Sequence, residues 1–333
     1  MPRAIRIYQN GGPDVMRFEE VALGPPAAHE VRLRHSAIGI NFSDLNVRRG
    51  GFYFGRPQQF PLVLGNEAAG VIEALGAEVG GFAPGERVAY AGMRGEFFED
   101  TGAYAEARNV PAERLLKLPD GVSDGKAAAM LVKGFTAWLI INRIYRPQDG
   151  DTVLIHGVAG GVGFALGQWS RHLGARVIGT VGSQEKAAFV RQHACDHAIL
   201  YRETDFIAAV QRIAPEGVAA VFDGVGKDTF HASLDCVRRF GMLVNYGNAS
   251  GHPLPLDLLM LAKKGSLKVA RPALSSVTAD VALMRTAAAE LFDLVARGVL
   301  AFPVSRSYPL AEAAQAHRDI EARKSAGSML LIP

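Results

Sequence analysis

The stretch Asp151-Thr-Val-Leu-Ile-His-Gly-Val-Ala-Gly-Gly-Val-Gly163 limits the fold of this chain more than any other segment. An apolar strand, Val153 to His156, runs into a glycine-rich turn. A helix-like segment, Phe164 to Leu173, follows. Gly157, Gly160 and Gly163 stand at the spacing of a dinucleotide-binding fingerprint. The first allows a tight turn, the second admits the backbone close to a pyrophosphate, and the third lets the helix pack on the strand. The pyrophosphate would rest on the helix N-terminus, at the backbone of Gly160, Gly161, Val162 and Gly163. An ordinary tight strand-to-helix turn is the alternative. The order strand, glycines, helix favours binding.

From Asp151 onward, short apolar β-branched runs alternate with amphipathic segments. Strands are expected at Arg176–Thr180, Ala198–Tyr201, Ala219–Phe222 and Met242–Tyr246. Helices are expected at Gln184–His193, Asp205–Ala214 and Thr229–Arg239. Such alternation means parallel strands with crossover helices: a doubly wound α/β sheet, over residues 129–264. Residues 1–128 differ. Short strands such as Val31–Ala37, Ala69–Leu75 and Arg87–Ala91 stand between Gly/Pro punctuation, as in a mostly antiparallel, barrel-like domain. The tail, residues 265–333, adds a strand at Leu267–Ala270, helices near Asp280–Arg297 and Ala311–Arg323, and a strand at Ser328–Ile332. Ligands would lie at the carboxyl ends of the parallel strands, facing the first domain across a cleft.

Composition excludes several classes. The chain has 333 residues, 49% hydrophobic and 21% charged, so it is globular and long enough for two domains. A formal charge of +3 without a dense Lys/Arg block gives no reason to expect nucleic acid. Two cysteines, Cys195 and Cys236, exclude a disulfide framework and suit a reducing cytosol. The start, Met-Pro-Arg-Ala-Ile-Arg, lacks the apolar core of a signal peptide, and no uninterrupted apolar run is long enough to span a bilayer. The expectation is a cytoplasmic protein without a membrane partner. His193, Cys195, Asp196 and His197 are metal-ligand types at close spacing, but a polar turn with one buried thiol explains them more simply.

The motifs resemble, in order, those of the medium-chain dehydrogenase/reductase superfamily, and within it the NADPH:quinone oxidoreductases of the zeta-crystallin type. The carrying segments are Gly11-Gly-Pro13, Gly39-Ile-Asn-Phe-Ser-Asp44, Gly65-Asn-Glu-Ala-Ala-Gly70, Gly85-Glu-Arg-Val88, Lys133-Gly-Phe-Thr136, Gly157–Gly163, Tyr246-Gly-Asn-Ala-Ser-Gly251, Arg271-Pro272 and Gly327-Ser-Met-Leu-Leu-Ile332. The resemblance spans nearly the whole chain. It implies a Rossmann nucleotide domain, and a GroES-like catalytic domain built discontinuously from residues 1–128 and 265–333. It also implies a small quinone as substrate and, often, a homodimer.

Zinc alcohol dehydrogenases of the superfamily carry a Cys-His pair in the Gly39–Asp44 region and a His between the equivalents of Gly65 and Glu67. Here stand Asn41, Phe42 and Asn66, and the third ligand position falls near Val132. A catalytic zinc needs three protein ligands, which Glu67 alone cannot provide. The expectation is therefore no metal. The position after the second parallel strand, where NAD sites usually place an acid, is Val181. Ser183 and Lys186 can instead hold a 2′-phosphate, so NADPH is the expected cofactor. The resemblance adds Tyr201, Arg271, Arg323 and Lys133 to the cofactor set. Asn248, after the fifth strand, joins it by position.

Asn41, Asp44 and Tyr53 are the catalytic candidates: an amide that orients, a carboxylate that relays a proton or holds a neighbour, and a phenol donor. Phe42, Phe52 and Asn46 would border the substrate, with core packing as the alternative for the phenylalanines. Asn46 departs from the tyrosine of the quinone reductases. Ser43-Asp44-Leu45-Asn46 and Gly65-Asn66-Glu67 are similar instead to mitochondrial-type enoyl thioester reductases, where a tyrosine near the place of Tyr53 serves catalysis. Enoyl thioester reduction is thus the alternative activity. RNA binding, which some zeta-crystallin relatives show, is the alternative of another class.

Overall fold

The computed structural model describes residues 1–50, 58–92, 101–324 and 326–333. The chain divides into two units: residues 1–135, 274–296 and 302–333 form one, and residues 136–273 and 297–301 the other.

In the second unit, a parallel sheet has the order His197–Leu200, Arg176–Val181, Thr152–His156, Val218–Asp223, Val237–Asn245, Lys268–Ala270. In chain order this is 3-2-1-4-5-6, the doubly wound arrangement, whose switch point lies between its first and fourth strands. Val153, Leu154 and Ile155 are wholly buried, as a strand covered on both faces requires. The strand expected at Leu267–Ala270 belongs to this sheet and not to the tail's domain: Met242 to Val244 pair with Lys268 to Ala270. The helix expected at Thr229–Arg239 covers only Phe230–Ser233. Phe230, Leu234 and Val237 share a helical spacing, but Val237 pairs with Val218, so the sheet captures it. Cys236 packs in the apolar core below.

In the first unit, Glu30–Ile40 is the central strand. It pairs with Glu67–Leu75, Ala107–Pro111 and, from the far end of the sequence, Ser328–Ile332. Met329 lies opposite Ile40 and Leu331 opposite Ile38, so the tail completes the N-terminal sheet. The pairing is antiparallel except between Val304–Pro309 and Ser328–Ile332. A smaller antiparallel sheet joins Arg17–Glu20, Arg3–Ile7 and Leu62–Val63. Ile5, Leu33, Ile38, Tyr90 and Leu331 are among the side chains of the core between them.

The helical segment Asp124–Ile144, though interrupted by Lys126, Lys133 and Arg143, is by length and composition apolar enough to cross a membrane. Yet 78% of its most apolar window is buried inside the protein, the mark of a core helix.

Candidate functional site

At the carboxyl end of Thr152–His156 the chain turns at Gly157, whose φ of +65° favours glycine. Gly160 caps the helix Gly161–His172. A Cβ on Gly163 would lie 2.7 Å from the Gly157 carbonyl oxygen, so only glycine permits this approach of helix to strand. The first N–H groups of a helix have no intrahelical acceptor, which makes this turn an anion cradle. The neighbouring strand, Arg176–Val181, ends on buried Val181. Ser183 caps the helix Gln184–His193 and its Oγ accepts from the Lys186 N–H at 3.3 Å. The Tyr201 hydroxyl lies beside Gly182, where an added Cβ would meet it at 3.0 Å. Ser183, Lys186 and Tyr201 thus flank the end of one strand. Arg271 donates to the Asn245 carbonyl at 3.1 Å and to Asn248 Oδ1 at 3.2 Å. Asp223, wholly buried at the end of the fourth strand, accepts from the N–H groups of Val225 and Gly226 and from the Thr229 hydroxyl.

In the other unit, Asn41 begins the helix Phe42–Arg49. Its backbone N–H donates to Asp44 Oδ2 at 2.9 Å, the reach-back of a helix-capping carboxylate. Asp44 also accepts from Asn66 Nδ2 at 2.7 Å and the Tyr104 hydroxyl at 3.1 Å. It is fully buried, and burial above all raises its pKa to about 7. The Asn41 side chain joins a second carboxylate. Nδ2 donates to Glu67 Oε1 at 2.8 Å, while Oδ1 accepts from Lys133 Nζ at 2.8 Å. Lys133 Nζ lies 2.8 Å from Glu67 Oε1, and Glu67 Oε2 accepts the Val132 N–H at 2.7 Å. Lys133 is 6% exposed and Glu67 is wholly buried, so Lys133 is no surface lysine. Gly39 leaves room for this carboxylate: a Cβ there would stand 2.3 Å from Glu67 Oε1.

Residues 193–331 match the zinc-binding dehydrogenase family, and residues 27–120 the alcohol dehydrogenase GroES-like domain. A quinone oxidoreductase of Pseudomonas aeruginosa is 40% identical, with both chains covered in full. The chain belongs to the quinone oxidoreductase family of the medium-chain dehydrogenase/reductases. A 2-haloacrylate reductase of a Burkholderia species is 41% identical over 100% of this chain and 99% of its own. The crystal structure of the Escherichia coli quinone oxidoreductase complexed with NADPH superposes with a TM-score of 0.93, at 37% identity, over 99% of this chain and 100% of that one.

The zinc-binding name of the matched family meets a donor set that does not fit the metal. Asn41 and Asn66 offer neutral amides and Phe42 offers nothing. Both oxygens of Glu67 already accept hydrogen bonds, one from an ammonium that would repel a divalent cation. The cysteine cluster also has other partners. Asp196 accepts the Val177 N–H at 2.7 Å and pairs with Arg171, and burial pushes the Cys195 thiol up to about 11.

Of the residues expected from sequence, the structure brings Asn41, Asp44 and Lys133 into one hydrogen-bonded cluster. Phe42 and Asn46 lie half-buried on the helix that Asn41 begins. Phe52 and Tyr53 lie outside the described residues. Arg323 follows the helix Ala313–Glu321 with a φ of +56°. Tyr104, Arg48 and His317, which support Asp44, carry no sequence motif.

Proposed function

We propose that this quinone oxidoreductase relative transfers a hydride from NADPH to a small quinone and uses no zinc. The observation that carries the reading is the Lys133–Glu67–Asn41 cluster, which occupies the zinc-ligand segments, together with an intact glycine turn on the nucleotide unit. When bound, the nicotinamide supplies the hydride. The backbone of Gly160, Gly161, Val162 and Gly163 binds the pyrophosphate. Ser183, Lys186 and Tyr201 bind the 2′-phosphate, and Arg323 adds a further cation. Asn248 and Arg271 hold the cofactor at the carboxyl end of the fifth strand. Lys133 has three N–H donors and, among the described residues, spends two on Asn41 and Glu67; the third serves the cofactor.

Quinones are electron-poor, so their reduction needs orientation more than a Lewis acid. Asn41, fixed through both ends of its amide, orients the acceptor. Asp44 holds Asn41 in place as a carboxylate and, with its pKa raised to about 7, can relay a proton near neutral pH. Phe42, Asn46 and Phe52 border the substrate, and Tyr53 is the phenol donor. An enoyl thioester would demand more of Tyr53, because a carbanion-like centre must be protonated.

We further infer a homodimer in the cytoplasm. Phe240, Leu254, Leu258 and Leu259 are exposed near an edge strand, Lys268–Ala270, and both thiols are free. Sedimentation of the wild type and of Leu258→Glu checks the dimer.

The test of function is NADPH oxidation with benzoquinone, a naphthoquinone, an enoyl thioester and a 2-haloacrylate. Quinone turnover should dominate and fall only modestly in Tyr53→Phe. Efficient enoyl-thioester reduction without quinone turnover, abolished by Tyr53→Phe, would reject the quinone assignment.

A further inference from the structure

Behind Asp44 lies a chain of polar side chains whose direction can be read. The Arg48 guanidinium is 1% exposed. It is anchored by Glu321 and by the Gly11 carbonyl, the latter at 3.1 Å. Its Nη1 lies 3.1 Å from His317 Nδ1. A guanidinium only donates, so Nδ1 accepts and the ring proton of His317 sits on Nε2. Nε2 lies 3.0 Å from the Tyr104 hydroxyl oxygen, which therefore accepts, and the phenol's own proton is committed to Asp44 Oδ2 at 3.1 Å. The other ring tautomer would let Tyr104 donate to His317 and leave Asp44 one donor short. Among the described residues, the partners of the Asp44 carboxylate, Asn41 N–H, Asn66 Nδ2 and Tyr104 O–H, are all donors. Three donors stabilise the negative charge, and none of the three can accept a proton from the carboxyl in its present orientation. Burial keeps His317 neutral, its pKa lowered to about 3.

We propose that His317 is a positioning residue that acts through Tyr104: it commits the phenol proton to Asp44 and so favours the ionised carboxylate that holds Asn41. The inference rests on the reading of Asn41 and Asp44 as parts of the active site. The remaining charges around Asp44 among the described residues are Glu67, from the strand Glu67–Leu75, with Lys133 paired to it, Arg48 and Arg49 on its own helix, and Glu321 beside His317. Glu67 opposes ionisation of Asp44 and the cations favour it.

The experiment follows the Asp44 carboxyl C=O band by infrared spectroscopy between pH 5 and 9, with Asp44→Asn to identify the band. A hydrogen bond to a charged group corresponds to a midpoint shift of about one to two pH units. Tyr104→Phe, which keeps the ring, should raise the midpoint by that amount, and His317→Phe, which removes the donor to the phenol oxygen but leaves the phenol facing Asp44, should raise it by a smaller amount. His317→Gln can still accept from Arg48 and donate to Tyr104, so it should restore most of the wild-type midpoint. The acid limb of the kcat profile should move in parallel. An unchanged midpoint in folded Tyr104→Phe and His317→Phe overturns the proposal. Wild-type turnover in Asp44→Asn would reject Asp44's place in the active site, and the midpoints would still decide whether His317 governs its ionisation.

Discussion

Replacing Lys133 with Met tests the cluster at its most charged point. Lys133 is 6% exposed, and its ammonium lies 2.8 Å from a carboxylate that is wholly buried. Breaking a buried ion pair by removing one partner costs about 3–5 kcal/mol, because the other charge stays buried without compensation. Glu67 keeps the Asn41 Nδ2 and Val132 N–H donors, so the lower end of that range, about 3 kcal/mol, is expected. At about 2–4 °C per kcal/mol for a unit of this size, Tm should drop by about 6–12 °C. Glu67→Gln should cost a similar amount by stranding the ammonium. The double variant Lys133→Met/Glu67→Gln has neither charge and should regain about half of the summed loss of about 6 kcal/mol, a coupling of about 3 kcal/mol. Calorimetry and urea unfolding of the four proteins measure it. A drop below about 2 °C for Lys133→Met, or purely additive losses, would refute the argument that these charges depend on each other.

Lys186→Ala should weaken use of NADPH by about 1.5–3 kcal/mol and hardly affect NADH, because only one of them carries the 2′-phosphate. Equal losses in kcat/KM would remove Lys186 from that role. Gly163→Ala places a Cβ 2.7 Å from the Gly157 carbonyl oxygen and should push the helix off its strand, weakening NADPH binding by calorimetry more than quinone binding. Unchanged affinity would count against the cradle. His35, His156 and His317 are held neutral by burial, with pKa values lowered from 6.5 to about 4, 4 and 3. The unfolded chain binds protons there that the folded chain refuses, so their contribution to stability is lost as pH falls from about 6.5 toward 4. Asp44, raised from 3.8 to about 7, acts in the opposite sense over the same window. The net uptake of about two protons predicts a loss of about 2.7 kcal/mol per pH unit, summed over the two units. Denaturant titrations at pH 5 and 6 check it, and stability that is flat or rising toward pH 5 would contradict it.

The legible parts of this molecule were those fixed by local pattern. Val153 to Gly163 reads as strand, turn and helix because each glycine answers a steric demand within a few residues. Ser328–Ile332 reads as a strand, although its place beside Glu30–Ile40 depends on pairing across almost the whole chain. The helix expected after Thr229 failed because apolar spacing alone does not reveal that Val237 is drawn into a sheet. Asn41, Asp44 and Lys133 were visible as candidates through family motifs. Their cluster was not, since Lys133 meets its partners 66 and 92 positions away. Tyr104 and His317 stand 213 residues apart and share no pattern that sequence periodicity could detect.

The central claim is hydride transfer without zinc. The direct measurement is NADPH-dependent quinone turnover by purified protein before and after exhaustive chelation, with metal content determined on the same samples. The account predicts substoichiometric zinc and unchanged turnover after chelation. Stoichiometric zinc whose removal abolishes turnover, and whose return restores it, would contradict it.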